Sequence, residues 1–243
     1  MSKKSVLMCL VVIMMLNFGV TAGAVNFEKP TNMTTNERVD ALISGEIQAE
    51  IEDDVSDVHV IVRGEDGKEK LIPFASRDES VILDVDEIGE NYFSALAITP
   101  LKRTDTSDSG GVYTFIEVTY YRTQDSDGLN FVKISTVYGG WRSSTNTNLI
   151  CANLQMHYRG RGDSFGVLRR EEKESSIYST PEKGTAYALV TDAQYYFLED
   201  GTTGMAVGYI TYQVKNKSTG QITLDDGEIT IGFGDLSSFN PFG

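Results

Sequence analysis

The sequence predicts a mainly β protein: an antiparallel, jelly-roll-like β-sandwich preceded by a small α+β segment carrying one amphipathic helix. Three observations carry that expectation. Residues 112–141, VYTFIEVTYYRTQDSDGLNFVKISTVYGGW, read as two strands joined by a turn. Beyond them short apolar runs keep recurring, separated by turns rich in Gly, Asn, Asp and Ser, as in all-β sandwiches and barrels. Helical periodicity occurs once, between Val39 and Ile51, and no internal repeat is evident. The expected organisation is a signal peptide at 1–24, a small α+β region with a linker at 25–111, and the sandwich at 112–243.

The first 24 residues read as an export signal. Lys3 and Lys4 precede the apolar run Val6–Met15, and Ala22-Gly23-Ala24 supplies small residues for cleavage. The run is shorter than the ~20 apolar residues that a membrane span needs. The mature chain is therefore expected to be secreted and extracellular, with no stable membrane span. Cys9 lies inside the run, away from the cleavage step, so a lipid-anchored cysteine is not expected. Cleavage removes two lysines and no acid. The balance of 21 Lys+Arg against 35 Asp+Glu becomes 19 against 35, a net of −16. Such a surface repels phosphate backbones and anionic membranes, which argues against nucleic acid as a partner. Cys151 is then the sole cysteine, so no internal disulfide forms, which fits a bacterial exported protein.

Taken in order, residues 25–33 are polar. Thr34 and Glu37 have the spacing of a helix capping box. Val39, Leu42, Ile43, Ile47 and Ile51 then fall on one helical face, with Gly45 inside the pattern. Val58–Val62 reads as a strand and Glu65-Asp66-Gly67 as a hairpin turn. Leu71–Phe74 returns beside it, confined by Pro73 to an edge. Val81–Leu83 and Tyr92–Ile98 are further short strands, and the polar run 104–111 marks a soft boundary. In Val112–Tyr121, Val112, Ile116, Val118 and Tyr120 share one face, and Tyr113, Phe115 and Tyr121 the other. Asp125–Gly128 makes the turn. Strands follow at Phe131–Tyr138, Leu149–Tyr158, Thr185–Phe197, Met205–Val214, Gln221–Leu224 and Glu228–Phe233.

No catalytic constellation emerges. His59 and His157 stand alone in predicted strands, each flanked by apolar residues. There is no G-x-S-x-G elbow, no Cys-x-x-Cys pair and no P-loop. Cys151, inside a strand, is expected to be a buried, inert thiol. Paired carboxylates could support glycoside hydrolysis, and Glu117, on the face of Phe115 and Tyr121, is the one acid placed among aromatics. Against that stands a charge on a half-exposed face. Asp125-Ser126-Asp127-Gly128 resembles the opening of a calcium loop but lacks the distal glutamate, and hairpin turns favour the same residues. No metal and no cofactor is expected. Arg161-Gly162-Asp163 spells the tripeptide that integrins recognise in some extracellular proteins, its neighbouring glycines suggesting an exposed loop, and chance explains so short a match.

The aromatic residues give the remaining lead. Flat rings displayed on a sheet can stack on the apolar faces of sugars. Tyr120, Tyr121, Tyr138 and Trp141 form the candidate ligand-binding platform, with the competing reading that a lone tryptophan belongs to the core. The run Val132–Trp141, with its strand ending in Gly139-Gly140-Trp141 and the next strand at Leu149–Tyr158, resembles uncharacterised secreted β-rich proteins of Gram-positive bacteria. The resemblance covers residues 112–170 and implies an exported bacterial sandwich. Those proteins have no established activity, so it transfers no site residue. The expected function is a non-enzymatic secreted protein that recognises a glycan or another surface component. The alternative is a glycan-active hydrolase using two carboxylates. A third reading, a membrane-inserting toxin built on Val112–Tyr138, conflicts with the mature charge and with the apolar residues on both strand faces.

Overall fold

The computed structural model describes residues 33–47, 58–63, 69–73, 82–99, 111–144, 146–199, 203–237 and 239. The expected signal peptide, the turn at 65–67 and the run 104–110 lie outside them. Helix α1 (Thr35–Ser44) opens on the capping box: the Thr34 side chain accepts from the Glu37 amide, and the Glu37 carboxylate accepts from the Thr34 amide at 2.8 Å. Two amides that the helix itself cannot pair are thereby satisfied. Gly45 is not interior, as the periodicity suggested. It adopts φ 77° and closes the helix, where a residue with a Cβ would be strained. Val39, Ala41 and Leu42 are buried, while Ile43 from the expected stripe is 44% exposed.

Twelve strands make two antiparallel sheets among the described residues. Sheet A contains β1 (Val58–Arg63), β2 (Glu69–Pro73), β7 (Leu149–Ser164), β8 (Val167–Glu174), β11 (Gly204–Asn216) and β12 (Ile222–Gly234), in the order β2-β1-β12-β11-β7-β8. Sheet B contains β3 (Ile82–Gly89), β4 (Tyr92–Ile98), β5 (Val112–Gln124) and β6 (Asn130–Ser144), which run as a meander. The free edge of β6 is completed by β9 (Ala186–Val190) and β10 (Phe197–Leu198). A four-strand meander in one sheet is a plainer ordering than the expected jelly roll. Pro73 does sit in an edge strand, paired with His59 of β1.

The strands on either side of the expected 111/112 boundary belong to the same two sheets. β1 pairs with β12, and β4 pairs with β5, so the segment before residue 112 supplies part of both layers. The helix covers the outer face of sheet B, its apolar residues packing with Ile47 on Leu96, Ile98, Tyr113 and Phe115. The main core lies between the sheets, where Val118, Tyr120, Ile134, Met156, Ile210 and Phe233 are buried together. Glycines set how closely the sheets approach. A Cβ on Gly139 would stand 2.6 Å from Ile210 Cγ2, and one on Gly208 would stand 2.5 Å from Val118 Cγ1. The glycine before Gly140-Trp141 is therefore a packing requirement.

Strand expectations change in several places, and the runs expected at 221–224 and 228–233 form one strand, β12 (Ile222–Gly234). The predicted strand 185–197 divides into β9 and β10, because Thr191 leaves the ladder and donates its hydroxyl to the Ile134 carbonyl at 2.6 Å. Strand β8 was not predicted at all. Its sequence, VLRREEKE, is exposed along almost its whole length and carries no apolar alternation. No helix among the described residues is long and apolar enough to cross a membrane.

Candidate ligand-binding face

The sandwich sorts the four predicted aromatic residues onto opposite faces of sheet B, because successive side chains of a strand alternate. Tyr120 and Trp141 point inward. Tyr120 is 1% exposed, its ring centroid 5.5 Å from that of Phe93 and 4.5 Å from that of Phe233. Burial, with the nearby Glu199 charge, pushes its hydroxyl pKa far up, and Arg122 offsets this only in part. Trp141 is buried too, its indole Nε1 donating to the Pro181 carbonyl at 3.0 Å. Tyr121 and Tyr138 point outward. Tyr121 is 38% exposed, whereas Tyr138 is half-buried opposite Glu117. The predicted platform is therefore not one surface: two of its rings are core, and two look away from the core.

Around Tyr121 the structure assembles a different set. Tyr92 at the start of β4 stands opposite Tyr121, with ring centroids 4.6 Å apart. On the other side Tyr121 faces Lys133 of β6. That register depends on an irregularity between Thr119 and Tyr120, where Ser135 is the extra residue of β6. Such bulges re-aim the side chains beyond them, and here the Thr191 amide donates to the Ser135 carbonyl at 2.9 Å. The Lys133 ammonium lies 5.2 Å from the Tyr121 ring centroid and 4.7 Å from that of Tyr196, close enough to both for cation–π attraction. Tyr196 just precedes β10 and lies 6.2 Å from Phe165, at the tip of the β7–β8 hairpin. Phe165 in turn stacks on Phe131 at 4.2 Å and remains 50% exposed.

The result is a continuous ribbon, Tyr92–Tyr121–Lys133–Tyr196–Phe165, running over sheet B and onto a hairpin of sheet A. Tyr92, Lys133 and Tyr196 are half-buried, so each ring or ammonium is held in place while one side stays open. Sequence reading missed Tyr92, Lys133, Tyr196 and Phe165. The outward alternation of Tyr121 was visible, but the partners across the ladder follow from register, which no local pattern specifies.

Glu117, the acid expected among aromatics on a half-exposed face, is buried. Glu117 does share the outer face, but α1 lies over it. Arg38 of the helix places Nη1 2.6 Å from Glu117 and Nη2 2.6 Å from Asp84, and it donates to the Ser94 hydroxyl at 2.7 Å. The Ser94 hydroxyl also donates to Glu117. Burial alone would lower the Arg38 pKa, but the Glu117 and Asp84 charges outweigh it and hold the guanidinium more firmly protonated. All four side chains are buried, so this network fastens the helix to the sheet and offers no open carboxylate. Glu228, 1% exposed in β12, has its pKa raised to about 7 chiefly by burial, which Thr230 and Arg63 counter.

The remaining motifs resolve into structural roles. Asp125 Oδ1 accepts from the amides of Asp127 and Leu129, each at 2.9 Å, so that carboxylate closes the β5–β6 turn. Among the described residues no group of three or more His, Cys, Asp or Glu is placed to hold a metal ion. Arg161-Gly162-Asp163 lies within β7, paired to β8 and not in a free loop, and Asp163 accepts from the Gly166 amide at 2.8 Å. His157 stacks on Tyr209 at 4.5 Å and lies 3.0 Å from the Thr211 hydroxyl; burial lowers its pKa despite the nearby Glu174. Cys151 is fully buried, and burial pushes its thiol pKa far up. Compared with known proteins, the chain matches no family model, no curated protein and no solved structure.

Proposed function

We propose that this chain is an exported, non-enzymatic binding protein of bacterial type that grips a glycan or another cell-surface component. The observation that carries the reading is the ribbon of Tyr92, Tyr121, Lys133, Tyr196 and Phe165 on the outside of the sandwich. Pyranose rings present apolar C–H faces that stack on tyrosine, and their hydroxyls accept from a lysine ammonium and exchange hydrogen bonds with phenols. Tyr92, Lys133 and Tyr196 are half-buried, so the side-chain entropy lost on binding is already partly spent. The acidic balance of the chain favours a neutral or weakly charged ligand over a polyanion along this face.

The test is co-sedimentation of the purified mature protein with insoluble polysaccharides and isolated bacterial cell walls. The reading expects saturable pelleting that soluble fragments of the same polymer compete away, and weaker pelleting by Tyr196→Ala with an unchanged circular dichroism spectrum. Absence of pelleting on every polymer and wall preparation would overturn it. Release of soluble sugar during the incubation would instead favour the hydrolase.

A further inference from the structure

A second surface feature lies on sheet A, beyond the glycan-binding reading and independent of it. Where β7, β8 and the start of β11 meet, a cleft of about 540 Å³ opens, lined by Arg161, Arg169, Arg170, Leu168, Met205 and Asp235. The chain carries 21 Lys+Arg against 35 Asp+Glu, yet three arginines and one acid line this cleft, with Arg161 and Arg170 on one face of the β7–β8 ladder and Arg169 on the other. Arg161 and Arg170 stand directly opposite each other in the β7–β8 ladder. Like charges in that position repel unless something negative lies between them.

Among the described residues the neighbouring acids offset this charge only in part. The Arg161 side chain has no hydrogen-bond or ion-pair partner among the described residues. Arg170 Nη2 lies 3.1 Å from Glu172 on its own strand, which leaves the other donors of the fork open. Arg169 sits 5.0 Å above the Tyr195 ring, held by cation–π attraction. Asp235 accepts from the Ser237 amide at 2.9 Å. On the apolar side Leu168 is 79% exposed and Met205 is buried in the wall.

We propose that this cleft is an oxyanion site that takes the phosphate or carboxylate group of a ligand between Arg161 and Arg170, with the ligand's apolar part against Leu168. Planar guanidinium groups bind both oxyanions through paired N–H···O bonds. The acidic remainder of the molecule slows the approach of anions at low salt, but beyond ~8 Å its field is screened at physiological ionic strength. The oxyanion could come from a soluble compound or from a lipid headgroup, and two arms of the test separate these sources.

The soluble arm titrates the mature protein with pyrophosphate and with citrate in a calorimeter at constant ionic strength. The lipid arm pellets it with vesicles of phosphatidylglycerol against vesicles of phosphatidylcholine alone. The proposal expects saturable binding in at least one arm. It also expects at least about tenfold weakening in the Arg161→Gln/Arg170→Gln variant, since each charge-assisted bond contributes appreciably. Leu168→Glu, an exposed change that adds a negative charge without touching the arginines, should weaken binding similarly, while Lys215→Gln at the far end of β11 should not. Binding of phosphatidylglycerol vesicles alone assigns the headgroup as the source, and binding of pyrophosphate or citrate assigns a soluble oxyanion. No saturable binding of any probe, or binding that the arginine and Leu168 variants leave unchanged, overturns the proposal.

Discussion

Glu228 makes stability depend on pH in a way that one substitution isolates. Its carboxyl is 1% exposed in β12, accepts from the Thr230 hydroxyl at 2.5 Å, and lies 4.0 Å from an arginine that also serves Glu69. Burial raises the pKa from 4.5 to about 7. A folded-state value above the unfolded one gives stability that is complete below pH 4.5 and is lost as pH rises through 7, because over that window only the folded state keeps the proton. The full loss corresponds to about 3 kcal/mol, of which roughly 2 lies above pH 5.5. Glu228→Gln keeps an acceptor for Thr230 and removes the titration. Urea unfolding, followed by the fluorescence of buried Trp141, is measured for both proteins at pH 5.5 and 8.5. The stability difference between variant and wild type should shift by roughly 2 kcal/mol in favour of the glutamine between the two pH values. All other titrating groups cancel in that difference. A difference that stays constant with pH would refute the reasoning and show Glu228 ionised throughout, held by Arg63.

Three further outcomes follow from the packing. Arg38→Leu leaves Asp84 and Glu117 buried without their cation and should cost ~3–5 kcal/mol in urea unfolding, much of it recovered when both acids are also replaced by leucine. Gly208→Ala puts a methyl 2.5 Å from Val118 Cγ1 and 3.0 Å from Val137 Cγ2, and should lower stability by ~1–3 kcal/mol through overpacking between the sheets, read as a fall in Tm. Cys151 should resist a thiol reagent while the protein is folded and react fully in denaturant, since burial keeps the thiol protonated and out of reach.

What the sequence disclosed and what it hid have physical causes. The capping box at Thr34 and Glu37 was legible because its bonds are local, and the two faces of Val112–Tyr121 were legible because alternation is local as well. Gly45 was misplaced because a periodic apolar pattern continues past it, whereas the chain turns left-handed there. Strand β8 was invisible because an edge strand exposed on both faces needs no apolar period. At the candidate site, alternation already separated Tyr120 from Tyr121, and counting nearby aromatics as one platform overrode it. The remaining members of the ribbon could not be found locally. Tyr92 and Lys133 reach Tyr121 only through ladder register and a bulge, and Phe165 arrives from the other sheet.

The most direct test of the account compares two adjacent residues that point to opposite faces of the same strand. Pelleting isotherms are recorded for Tyr121→Ala and Tyr120→Phe on the polymer that wild-type protein binds. The ring contacts of Tyr121 and its Lys133 neighbour predict about a tenfold loss of affinity for Tyr121→Ala, with folding intact. Tyr120→Phe keeps the core ring and should bind as the wild type does. Equal binding by Tyr121→Ala and wild type, or a loss confined to Tyr120→Phe, would contradict the assignment of the outer ribbon as the binding face.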